Sequence, residues 1–151
     1  MGNALFYHLT RSDAETLLPR LIGRAMDAGW RVELRAPARA RLEALDQALW
    51  LGEGFLAHGL AGGQHDARQP VLLRAADAPP AGNSPDCLML VDGAELTADE
   101  ALALNRSFII FDGNHPPAVD RAREQWRLLS GGGITMEYWT EDGDGRWQKK
   151  R

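Results

Sequence analysis

A three-layer α/β fold on a mostly parallel open sheet is predicted by three features of this 151-residue sequence. Compact apolar runs recur at residues 5–9, 88–91 and 107–111, each of strand length and rich in apolar and aromatic side chains. Stretches with apolar residues at helical spacing lie between such runs, and turn-forming Gly, Pro, Asn and Asp punctuate the alternation. Uniformly apolar strands are usually covered on both faces, and parallel strands need crossover connections that helices supply.

Residues 5–9 are the first predicted strand. Asp13 then opens a helix with Leu17, Leu18, Leu21, Ile22, Ala25 and Met26 in phase; Ser12 or Asp13 serves as N-cap and Gly29 as the left-handed stop. Pro19 predicts a kink, a loose first turn or a helix that begins near it. In residues 30–35, Val32 and Leu34 share one face of a second strand. Pro37 suits the first turn of a second helix running to about Trp50, with Leu42, Leu45 and Leu49 in phase. Residues 51–69 hold Gly52, Gly54, Gly59, Gly62 and Gly63 without a sustained period, and predict a loop ordered by Phe55 and Leu56.

A short strand at 71–73 leads to an exposed connection at 77–85, which contains three of the eight prolines. A strand at 88–91, a short helix capped by Thr97 and a strand at 107–111 follow. Pro116 and Pro117 start a helix to about Ser130, which Gly131-Gly132-Gly133 ends, and the last predicted strand is 135–140. The whole chain, 1–151, reads as one Rossmann-like domain in which 141–151 is a polar, flexible tail.

Apolar residues at 44% and charged residues at 25% predict a folded domain, away from the composition of disordered chains. A net charge of -4 argues against a protein whose main task is to hold a nucleic-acid backbone, so any basic patch must be local. Direct DNA binding would require a contiguous basic groove, for which neither net charge nor spacing speaks. The single cysteine, Cys87, reads as a small buried hydrophobe compatible with a reducing compartment. No segment reaches the apolar length of a membrane span, so the expected location is cytoplasmic, without a membrane partner. Met1-Gly2 is no myristoylation signal, because Phe6 stands where Ser or Thr is needed.

A nucleotide would sit at the turn after the first strand, yet His8-Leu9-Thr10-Arg11-Ser12-Asp13 has no glycine to let a phosphate approach. No Gly-Lys-Ser/Thr occurs elsewhere, and Gly131 to Gly133 follows a helix instead of opening one. His8, His58, His65 and His115 show no ligand spacing, and neither a metal nor a cofactor is expected. Asp112 and His115, at the end of a strand, are the best enzymatic lead; their alternative role is a turn in which Asp and Asn accept backbone hydrogen bonds. The basic stretch 147–151, with Trp147, is either a binding segment or a solvated terminus.

On the last helix, Arg123, Trp126 and Arg127 share one face. An aromatic between two guanidiniums accepts an apolar side chain and a carboxylate together. The competing reading makes Trp126 a core residue and has the arginines stabilise the negative helix end.

Five segments bear on this choice: Asn3-Ala4-Leu5-Phe6-Tyr7-His8-Leu9, Leu45-Asp46-Gln47-Ala48-Leu49-Trp50, Phe55-Leu56-Ala57-His58-Gly59-Leu60-Ala61, Gln69-Pro70-Val71 and Ala122-Arg123-Glu124-Gln125-Trp126-Arg127. Their order and spacing resemble the chi subunit family of DNA polymerase III. The resemblance implies a Rossmann-like accessory subunit without enzymatic activity, bridging the clamp-loader complex to single-stranded-DNA-binding protein, with a psi subunit on one side and only indirect association with DNA. It implies that Arg123, Trp126, Arg127 and Trp50 meet the acidic, Phe-ended tail of single-stranded-DNA-binding protein, and that Phe55 belongs to the psi side. The alternative is a small enzyme or nucleotide binder using Asp112 and His115.

Overall fold

A computed structural model describes residues 2–51 and 58–151, with Leu51 described by its backbone alone. The elements are β1 (Asn3–Leu9), α1 (Ala14–Asp27), β2 (Val32–Ala36), α2 (Arg39–Leu51), β3 (Gly59–Leu60), β4 (Val71–Ala75), β5 (Cys87–Leu90), α3 (Ala98–Ala103), β6 (Arg106–Asp112), α4 (Pro116–Leu129), β7 (Thr135–Glu141) and β8 (Trp147–Lys149). The strands form one sheet in the order β3-β4-β2-β5-β6-β1-β7-β8. Every pairing is parallel except β7 with β8. The predicted three-layer, mostly parallel α/β architecture is therefore the observed one.

Two apolar layers flank the sheet. α1 and α2 bury Leu18, Ile22, Leu42 and Leu45 against Leu34, Leu73 and Met89 on one face. α3 and α4 bury Ala101, Ala122 and Leu129 against Phe6, Leu88 and Ile109 on the other. Each fully buried leucine or isoleucine contributes about 1.5–3 kcal/mol, which is why α1 runs unbroken through Pro19. The missing N–H and ring clash cost about 3 kcal/mol, but the proline points to solvent while its neighbours Leu17, Leu18 and Leu21 are buried.

Asp13 caps α1 by accepting from Thr16 N–H at 2.9 Å. Thr97 and Glu100 close a reciprocal capping box on α3. After α4, the chain turns at Gly131, whose φ of +80° is a conformation that side-chain-bearing residues rarely adopt.

Three boundaries differ from the sequence reading. α2 begins at Arg39, beyond Pro37. The stretch read as a loop contains the two-residue strand β3 and a 3₁₀ turn at Asp66–Arg68; an element this short has no detectable period. The polar tail carries β8, which pairs Trp147 with Glu141 and Lys149 with Trp139. An edge strand can be charged because one side of it faces water, so its polarity disguised it.

The far face of β2 and β4 is closed by charge instead of by a helix. Glu33, Arg35 and Arg74 are buried there. The Glu33 carboxylate accepts from Arg35 Nε at 2.7 Å and from Arg74 at 3.0 Å, while Arg35 also pairs with Glu100 at 2.7 Å. Arg74 donates to the carbonyls of Ala78 and Pro79, pinning the proline-rich connection. Burial opposes the charge on Glu100, but hydrogen bonds from Arg35 and from Thr97 N–H outweigh it and hold its carboxyl below the ordinary glutamate range.

Cys87 is fully buried at the start of β5, and desolvation pushes its thiol up to about 12. A thiol reagent at pH 8 is expected to leave the folded protein unmodified and to react completely once denaturant is added. Rapid labelling without denaturant, followed by absorbance, would contradict this burial.

Candidate functional site

The carboxyl ends of β1, β5 and β6 meet at a cavity of about 570 Å³, the place where open α/β sheets hold ligands. Asp112 and His115 lie on its rim. The Asp112 carboxylate accepts from Asn114 N–H at 2.9 Å, His115 N–H donates to the Asp112 carbonyl, and Asn114 Nδ2 donates to the Thr10 carbonyl. These are the bonds of a turn. Gly113 is required in it because a Cβ there would overlap the His8 ring.

The phosphate position of this cavity is occupied by the chain itself. Thr10, Arg11 and Ser12 N–H all donate to one oxygen of the Glu141 carboxylate at 3.0–3.1 Å, and the Ser12 hydroxyl donates to the other at 2.7 Å. Burial opposes ionisation of Glu141, but these hydrogen bonds prevail and hold its pKa below the ordinary 4.5. Arg41, the cation nearest the cavity from α2, is paired with both Glu15 and Asp92. Among the described residues no group of three His, Cys, Asp or Glu is placed to hold a metal ion.

A different kind of site lies over α4 and β7. Arg123, Trp126 and Arg127 do share one helix face, and they line a groove of about 460 Å³ with Tyr138, Lys150 and Arg151. Trp126 sits partly in the core and partly in the groove, so its position fits both readings that the sequence left open. Its inner edge packs on Phe6, with ring centroids 5.1 Å apart, and its outer side remains in the groove, where the Arg151 guanidinium sits 5.8 Å from the ring centre. Tyr138 forms the facing wall, 6.0 Å from Trp126. Four cationic side chains thus surround two aromatic rings, and no Asp or Glu is among the described lining residues.

Tyr138 is held from behind. His8 Nδ1 and the Tyr138 hydroxyl are 2.6 Å apart. Burial, with Arg123 nearby, holds the His8 pKa below its ordinary 6.5, so at pH 7 the imidazole is neutral and the bond joins two neutral groups. Tyr138, Lys150 and Arg151 are the groove residues that sequence reasoning did not assemble. Backbone bonds from Lys150 N–H to the Tyr138 carbonyl and from Tyr138 N–H to the Arg151 carbonyl bring the basic terminus beside β7. The signal available was the basic, Trp-containing stretch 147–151, legible only once it is paired as a strand.

Trp50 does not line this groove, which corrects the expectation that it meets the same ligand beside Arg123, Trp126 and Arg127. It ends α2, in the layer on the opposite face of the sheet, and α2 packs by β4 toward the far edge. It is 50% exposed and its ring lies 4.3 Å from that of His58, which pairs with Asp46 at 3.0 Å. Phe55 lies outside the described residues.

Fold and site together define a small α/β domain whose strand-end turn is filled by its own carboxylate and whose open groove is basic and aromatic. The family model of the DNA polymerase III chi subunit, HolC, matches residues 1–137. The chain belongs to this family, that of an accessory subunit of the replicative polymerase. No curated protein gives a significant match. Among solved structures, the C-terminal domain of a possible DNA helicase from Lactobacillus plantarum is similar, with a TM-score of 0.57 at 11% identity over 90% of this chain and 85% of that one. At that identity the likeness shows the fold alone. No helix of the described residues is long and apolar enough to cross a membrane.

Proposed function

We propose that the chain is a non-catalytic accessory subunit that links the clamp-loader complex to single-stranded-DNA-binding protein by holding that protein's acidic, Phe-ended tail in the Trp126 groove. The observation that carries this reading is the groove's composition: Trp126 and Tyr138 as apolar walls, with Arg123, Arg127, Lys150 and Arg151 around them. An apolar side chain lies against the two rings, and carboxylates of the tail, including the terminal one, meet the guanidiniums. The enzymatic alternative at Asp112 and His115 is less favoured, since the Asp112 carboxylate accepts from Asn114 N–H and the His115 backbone N–H donates to the Asp112 carbonyl, the bonds of a turn. A psi subunit is proposed as a further partner, with Phe55 on its side as the family resemblance implies.

Titration calorimetry with a short acidic peptide ending in Phe tests the groove. Arg123→Ala is expected to weaken binding about five- to tenfold, the loss of one charge-assisted hydrogen bond at an exposed site. Trp126→Ala is expected to remove most of the affinity, and amidation of the peptide terminus to weaken it comparably. Affinity unchanged in both variants excludes this groove as the tail site.

A further inference from the structure

The opposite face of the sheet carries a second basic and aromatic surface that the tail-binding reading does not use. Between α1 and the β7-β8 hairpin the sheet is not covered by a helix, leaving a furrow of about 640 Å³ floored by Tyr7 and Trp139. A smaller hollow of about 230 Å³ shares Tyr7, Leu21, Arg24 and Arg106 with it and extends it to Trp30. Arg20 and Arg24, one helical turn apart on α1, form one bank; Arg146 in the hairpin turn and Arg106 at the start of β6 complete the ring of charge.

These charges are available. None of the four guanidiniums lies within 4 Å of a carboxylate among the described residues. Arg20, Arg24 and Arg146 are exposed, and Arg106 lies over the Trp30 ring at 5.3 Å. Among the described lining residues one side-chain carboxylate occurs, Glu137, and it is engaged by Trp139 Nε1 at 3.1 Å and Lys149 at 3.8 Å. The rings are partly open. Trp139 stacks on Tyr7 at 6.3 Å and Trp147 meets Tyr7 edge-on at 5.0 Å, while both tryptophans keep a solvent-facing side. The contrast with the whole chain, whose net charge is -4, marks the furrow as a local feature.

We infer that this furrow binds single-stranded nucleic acid, with phosphates on Arg20, Arg24, Arg106 and Arg146 and bases against Trp147 and Trp30. Guanidiniums tracking a backbone beside exposed indoles suit a flexible strand whose unpaired bases can stack. A duplex keeps its bases stacked internally and gains nothing from the tryptophans. An acidic peptide ending in Phe offers charge but only one flat ring for two separated indoles. The arginines come from α1, β6 and the β7-β8 turn, so the chain order conceals the groove that net charge alone argued against.

Fluorescence anisotropy of a labelled oligothymidylate with the full chain tests the inference. Three or four phosphate contacts predict an affinity loss of about 20- to 50-fold between 50 and 200 mM salt. The double variant Arg24→Glu/Arg146→Glu is expected to bind at least about tenfold more weakly at low salt, while its affinity for the Phe-ended acidic peptide stays unchanged. Arg20→Glu with Arg146→Glu repeats the test from the neighbouring turn of α1, should the first pair unfold. Trp147→Ala should lower affinity and leave the salt slope intact. Conversely, Arg123→Ala should leave oligothymidylate binding unchanged, which separates this surface from the tail groove whether or not the peptide binds there. Affinity insensitive to both charge reversals overturns the inference, as does equal affinity for duplex DNA or for polyglutamate.

Discussion

Glu33→Ala is expected to remove about 3–5 kcal/mol of stability, because it leaves the guanidiniums of Arg35 and Arg74 buried without their shared carboxylate. In a domain of this size that corresponds to a fall in Tm of about 6–20 °C. The effect is large because the group is a hub: both arginines converge on one Glu33 oxygen, and Arg35 alone retains Glu100. Removing the cations as well, as Arg35→Met and Arg74→Leu in the same chain, is expected to recover part of the loss, since an apolar patch of similar volume tolerates burial better than unpaired charge. Thermal unfolding followed by circular dichroism checks both. A Glu33→Ala variant within 1 °C of the parent would show that water reaches the site freely.

That network also explains which parts of the fold were legible in the sequence and which were not. β1, β5 and β6 were legible because nearly every side chain along each is buried, on both faces, so they are apolar in succession. β2 was read from Val32 and Leu34 alone; Glu33 and Arg35, on its other face, are buried and pair with Arg74 and Glu100. Such pairing joins residues from three elements and leaves no local pattern. β3, with two residues, and β8, polar and at an edge, fall below what periodicity can register.

The candidate site divides in the same way. Arg123, Trp126 and Arg127 are neighbours on one helix and were found by spacing. Tyr138, Lys150 and Arg151 reach the same groove only through sheet pairing, and Trp50 was misplaced because sequence cannot tell which face of the sheet a helix covers. The four furrow arginines are the extreme case, drawn from α1, β6 and the β7-β8 turn in a chain of negative net charge.

Glu141 gives the second large effect, and its sign with pH is fixed by geometry. Replacing it with alanine strips one oxygen from three backbone N–H groups and frees the β7 end from the β1-α1 turn, an expected loss of about 2–4 kcal/mol. Glu141→Gln keeps an oxygen for those amides and removes the charge, so its cost should be smaller. The folded-state pKa lies below the ordinary 4.5 of an unfolded glutamate. The carboxylate therefore contributes its full stabilisation above about pH 4.5 and loses it progressively as pH falls toward the folded-state value. Urea unfolding at pH 7 and at pH 3 should show a parent that weakens on acidification more than Glu141→Gln does, with Glu100 supplying a residual acid dependence in both. Because β7 and β8 carry Tyr138 and the basic terminus to the groove, Glu141→Ala should also weaken acidic-peptide binding without touching any groove residue. Equal pH dependence in the parent and Glu141→Gln would mean that the turn amides draw no strength from the charge.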